Sequence, residues 1–71
     1  MTGDWILEEK GGDSYDLIRG RKRILVDASM TQIKKYMRRF MEKGQRVVLV
    51  EQDGYRRNVS RWFHSRVFKR P

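Results

Sequence analysis

The stretch Ser29-Met30-Thr31-Gln32-Ile33-Lys34-Lys35-Tyr36-Met37-Arg38-Arg39-Phe40-Met41-Glu42-Lys43-Gly44 reads as one amphipathic helix. At its start the Ser29 hydroxyl can accept from the Gln32 backbone N–H while the Gln32 side chain reaches back to Ser29, a reciprocal capping box. Gly44 is able to turn left-handed and so to stop the helix. At about 100° per residue, Met30, Ile33, Tyr36, Met37, Phe40 and Met41 fall on one arc and Lys34, Lys35, Arg38 and Arg39 on the other. The first arc suits a core, with its methionines making it adaptable. The second suits water or a polyanion.

On the N-terminal side, Trp5 to Lys10 starts like a strand, Gly11-Gly12-Asp13-Ser14 is a turn cluster, and Tyr15 to Arg19 alternates, so the pair predicts a hairpin. Beyond Gly20 and Arg21-Lys22-Arg23, the apolar run Ile24-Leu25-Val26 predicts a third short strand or the distal end of a long second one. On the C-terminal side, Val47-Val48-Leu49-Val50 is apolar without alternation. That pattern predicts burial on both faces or a central position, and we take it as the central strand. Asp53-Gly54 signals a type I′ turn, which wants positive φ at both central positions, and Tyr55 to Val59 returns as the partner strand.

The segment from Ser60 to Pro71 fits two readings. A helix places Val59, Trp62, Phe63 and Val67 on a broad side with Phe68 opposite, whereas a strand alternates Val59, Phe63 and Val67 with arginines. A short helix starting near Ser60 is preferred. The whole predicts one α+β domain over residues 1–71. A small antiparallel sheet is built from a hairpin, a third short strand and a second hairpin over 46–59. A central helix over 30–43 covers one face, and a short C-terminal helix follows.

A chain of 71 residues supports one core and buries only about 60% of the surface its unfolded form exposes, so its stability margin is thin. With no cysteine and a single histidine, His64, it has no means of forming disulfides, thiolate zinc sites or imidazole clusters. Close carboxylates are few: Glu8 and Glu9 point to opposite faces of a strand, and Glu51 and Asp53 border a turn. No Walker phosphate loop is present. These features predict a protein that is not an enzyme and uses no cofactor or metal. No apolar run approaches the roughly 18 residues that span a bilayer, and the start M-T-G-D-W is unlike a secretory leader. A cytoplasmic location with no membrane contact is expected.

Charge carries the functional expectation. The net charge is +8, from 17 basic and 9 acidic residues, with 11 arginines to 6 lysines. Residues 1–20 hold two bases against five acids, residues 21–44 eight against two, and residues 45–71 seven against two. The bases form four groups: Arg21, Lys22 and Arg23 at a turn; Lys34, Lys35, Arg38 and Arg39 on the helix; Arg56 and Arg57 after the Asp-Gly turn; Arg61, Arg66, Lys69 and Arg70 in the tail. The planar fork of arginine matches phosphate better than a point charge does. Tyr15, Tyr55 and Trp62 stand beside these groups and could stack on bases, with Tyr55 placed among the contact residues. A nucleic-acid partner is therefore expected, duplex DNA in preference to RNA, held mainly through phosphates. In element order, residues 5 to 59 resemble small sheet-plus-helix nucleic-acid binders such as the arm-binding domains of phage integrases, a resemblance that implies a sheet laid into a groove. The alternative is a protein-interaction module, such as a phage or mobile-element accessory factor. It would dock on an acidic host protein or form a homodimer through Trp62, Phe63 and Phe68.

Overall fold

A computed structural model describes residues 4–67. Five strands and two helices follow in the order β1 (Trp5–Gly11), β2 (Ser14–Arg19), β3 (Lys22–Ala28), α1 (Met30–Phe40), β4 (Val47–Val50), β5 (Arg56–Asn58) and α2 (Ser60–Val67). The domain is α+β, and its sheet has the spatial order β3-β2-β1-β4-β5.

The sheet is mixed, not wholly antiparallel. β1 and β4 run parallel, with Trp5 opposite Val47 and Leu7 opposite Leu49, while the other three pairings are antiparallel. Strand directions explain the difference. β3 points the same way as β1, α1 carries the chain back, and β4 then sets off beside Trp5 in the direction of β1. The Trp5 N–H donates to the Arg46 carbonyl at 2.8 Å where the two strands meet. β1, not β4, is consequently the central strand. The third strand is also longer than the apolar run suggested, because Lys22 and Arg23 pair with Arg19 and Ile18 before that run begins.

Helix α1 starts as its cap dictates. The Ser29 hydroxyl accepts from the Gln32 N–H at 3.2 Å, and the Gln32 side chain accepts from the Ser29 N–H at 2.9 Å. It stops earlier than Gly44, however. Met41 turns extended at the C-terminal cap while its N–H still donates to the Met37 carbonyl. Gly44, with φ of +89°, instead occupies the tight turn in which the Gln45 N–H donates to the Glu42 carbonyl at 3.3 Å.

The second hairpin also departs from its expected turn. Gly54 has φ of +91° but Asp53 is not left-handed, so the turn is not type I′. The Gly54 N–H donates to the Glu51 carbonyl and the Glu51 N–H to the Tyr55 carbonyl, both at 2.8 Å. This is the three-residue loop in which a glycine bulge follows an ordinary turn. After β5, Asn58 accepts from the Ser60 N–H at 2.9 Å and so directs the chain into α2, while the Ser60 hydroxyl accepts from the Val47 N–H at 2.8 Å.

Both helices lie on one face of the sheet. Ile33, Met37 and Met41 of the first helical region and Phe63 and Val67 of α2 join Trp5, Leu7, Leu17, Ala28 and Val47 in a single core. Phe40, expected on the core arc, lies outside the core and is half exposed, beside Tyr36 with centroids 4.6 Å apart. Val47 and Leu49 face the helices, but Val48 and Val50 point to the opposite face, so among the described residues β4 is covered on one side only.

Candidate nucleic-acid interface

The fold sorts charge by layer. Helix α1 contributes Lys34, Lys35, Arg38 and Arg39, helix α2 contributes Arg61 and Arg66, and neither helix contains a carboxylate. The rest of the described chain, sheet and connections together, holds nine cations against nine carboxylates. Every salt bridge among the described residues lies in that balanced part. The excess positive charge is thereby concentrated on the helical layer, unneutralised.

Trp62 links the two helices at this surface. Its ring has the Arg66 guanidinium 4.1 Å from the centroid and the Lys34 ammonium at 5.8 Å. Such contacts hold a cation in place while leaving its outer side accessible. Trp62 is 37% exposed, so it works here as a rest for two cations more than as an open platform for a base. Lys35 and Arg39, about 100° further round α1, lie toward the edge strand β3. With Leu25, Val26, Tyr36 and Phe40 they line a shallow groove of about 550 Å³ between α1 and the edge strand β3.

Other expected contact residues are committed elsewhere. Arg23 bridges Glu8 at 3.0 Å and also binds Asp16, so its charge is neutralised on the far side of the sheet. Arg57 pairs with Glu51 at 2.8 Å and lies 5.8 Å from the Tyr55 ring. Arg21 is exposed in the turn between β2 and β3, Lys22 is exposed at the start of β3, Arg56 is exposed on β5, and Tyr55 is exposed in the second hairpin. Lys69 and Arg70, like Phe68, lie outside the described residues. Phe63 is 1% exposed and belongs to the core, which corrects its expected place on a docking surface. Four cations stand outside the groups read from the sequence, and two of them, Lys10 and Arg46, are paired with carboxylates. Arg19 stacks on Trp5 at 4.4 Å, a placement that follows from the hairpin register opposing these two residues. Lys43, adjacent to Glu42, is exposed just beyond α1 and has no salt bridge among the described residues.

The opposite sign gathers at two places that bound the interface. Near the start of α1, a cleft of about 450 Å³ is lined by Met30, Leu49 and Phe63 together with Glu9 and Glu51. Tyr15 lines it too, and burial, then the nearby Glu9 and Asp13 charges, push its hydroxyl pKa up. Arg57 lines the cleft as well but is already paired with Glu51 at 2.8 Å, so the cleft does not favour a phosphate. Behind the sheet, the buried carboxylate of Asp16 accepts from the Asp27 N–H at 3.0 Å and from Arg23, with Lys10 at 3.5 Å. The Asp27 hydrogen bond, followed by Arg23 and the charge of Lys10, holds Asp16 below the usual carboxylate range. Asp27 reaches this position through a left-handed backbone, φ +53°, an uncommon state that aspartate tolerates better than most residues.

Groups of histidine and carboxylate side chains able to hold a metal are absent among the described residues. Among the same residues no helix is long and apolar enough to cross a membrane. No family model matches the chain, and neither a characterised protein nor a solved structure matches it significantly.

Proposed function

We propose that this chain is a small cytoplasmic nucleic-acid-binding module, without catalysis, that presents its helical layer to the phosphates of duplex DNA. The observation that carries the reading is the segregation of charge: six cations on two helices, no carboxylate on either, and none of the six in a salt bridge among the described residues. Lys34, Lys35, Arg38 and Arg39 form the centre of the contact surface, with Arg61 and Arg66 beside them. Contacts of this kind give affinity ahead of sequence preference. The sheet-in-groove mode implied by the integrase-like element order is not adopted, because the sheet part of the chain is electrically balanced.

The test is fluorescence anisotropy of a labelled random-sequence duplex at about 50 mM and about 200 mM salt, the range over which phosphate binders weaken steeply. Four to six phosphate contacts give a slope of log K on log salt of roughly −3.6 to −5.4. A slope near zero, or no binding at the lower salt, rejects the reading.

A further inference from the structure

The face of the sheet turned away from the helices has no covering element among the described residues. Its register sets Ile18, Ile6 and Val48 side by side on β2, β1 and β4, followed by Asn58 on β5. The adjacent row runs Asp16, Glu8, Val50 and Arg56. Ile6, Ile18, Val48 and Val50 are half-buried, with Arg23 of β3 beside Ile18 and reaching Glu8 and Asp16, and none of the four packs against the core. A sheet face that meets only water carries polar residues at these alternate positions, and parallel strand pairs are ordinarily covered on both sides. Here three neighbouring strands present isoleucine or valine around a parallel pair.

We propose that a second copy of this chain covers this face, the two sheets stacking face to face about a two-fold axis parallel to the strands. The second row indicates which partner fits. At one end Glu8, Asp16 and Asp27 outnumber Lys10 and Arg23 in a single ion-paired cluster. At the other end Arg56 is exposed and has no salt bridge among the described residues. A two-fold axis lying between β1 and β4 exchanges left for right and keeps each row at its level. It sets Ile6 against Val48 of the second copy and Arg56 over the second copy's β2 end, where Glu8 and Asp27 are the exposed carboxylates of the cluster, each contact being made twice, as an isologous interface requires. Sheets stacked in this way sit about 10 Å apart with their strands about 30° from parallel. That self-matching polarity favours a second copy over an unrelated partner. The helical layers remain on the two outer faces, so this inference stands apart from the nucleic-acid reading.

Sedimentation velocity of the protein alone, from micromolar to millimolar concentration, tests it. The wild-type chain should pass from monomer to dimer. Val48→Lys and Arg56→Glu should each raise the dimer dissociation constant by about tenfold or more, as for a buried contact broken on one side, whereas Arg56→Lys should come close to the wild type. Because Arg56 is exposed, its variants should retain the fold, to be checked by circular dichroism for every variant. Methyl resonances that shift on dilution should be those of Ile6, Ile18, Val48 and Val50. A chain that stays monomeric throughout overturns the proposal. A dimer indifferent to both variants, or dilution shifts confined to the helices, overturns it equally.

Discussion

The indole N–H of Trp5 donates to the side-chain carbonyl of Gln45 at 2.8 Å, joining the first residue of β1 to the loop after α1. The same oxygen accepts from the Glu42 N–H at 2.8 Å, and the Gln45 backbone carbonyl accepts from His64 of α2 at 2.8 Å. Gln45 is only 4% exposed, so one side chain ties strand and loop together while its backbone reaches the second helix. Replacement by leucine keeps much of the volume but leaves two donors without their acceptor. Stranding the buried indole N–H costs about 1–3 kcal/mol, partly offset because leucine also removes the Gln45 amide nitrogen, buried without a hydrogen-bond partner among the described residues. Gln45→Leu should therefore show a modest fall in the urea midpoint at unchanged slope.

Phe63 places a second limit on stability. It is fully enclosed by the core, and truncating a buried phenylalanine costs about 3–5 kcal/mol, a large part of the about 5–15 kcal/mol that a whole domain has. Phe63→Ala should therefore melt at a much lower temperature in a calorimetric scan, and Phe63→Ser should largely unfold. Any partner lost with it is lost through the fold. Trp62→Ala, which removes a ring 37% exposed and set edge-on to Phe63 at 4.8 Å, should lower the melting temperature by less than Phe63→Ala does.

Acid should weaken the fold through Asp16. Its pKa is lowered in the folded chain by the Asp27 hydrogen bond, then by Arg23 and Lys10, so the unfolded chain takes up the proton more readily. Its stabilisation is thus complete above its ordinary value near 4 and is lost as pH falls through the lower folded value. Lys10 runs the other way. Its pKa is raised, chiefly by Asp27, so its contribution is full below its ordinary value and fades in strong base. Urea titrations should show Asp16→Asn less stable at neutral pH and with a flatter acid limb than the wild type.

On duplex DNA, Lys35→Ala combined with Arg39→Ala should make the salt slope shallower by about 1.8, the amount expected when two phosphate contacts are removed. Arg57→Ala, whose charge is already paired with Glu51, should alter the slope little. Equal effects from the two variants would mean that the helical layer is not the contact surface.

Much of the fold could be read locally, and the reasons differ by element. The capping box at Ser29, the first hairpin and the start of α2 near Ser60 each rest on neighbours in the chain, and all three are present. The parallel pairing of β1 with β4 depends on where α1 returns the chain, which no local pattern encodes. Val47-Val48-Leu49-Val50 signalled cover on both sides, yet the helices supply it only to Val47 and Leu49. Among the charges, the helical group was visible as a stripe, but the neutralisation of Arg23 and Arg57 required strand register. Arg23 reaches Asp16 from β3 and Arg57 reaches Glu51 across β4 and β5. Counting bases along the chain gave them the same weight as Lys35, and the folded molecule does not.

A balanced sheet beneath a cationic helical layer also gives each chain an electric dipole directed roughly along the normal to the sheet. A polyanion approaching within a Debye length, about 10 Å at 0.1 M salt, exerts a torque that turns the helices toward it before any side chain makes contact. Orientation is then settled during the approach and not by trial collisions, which raises the association rate and makes it fall with added salt.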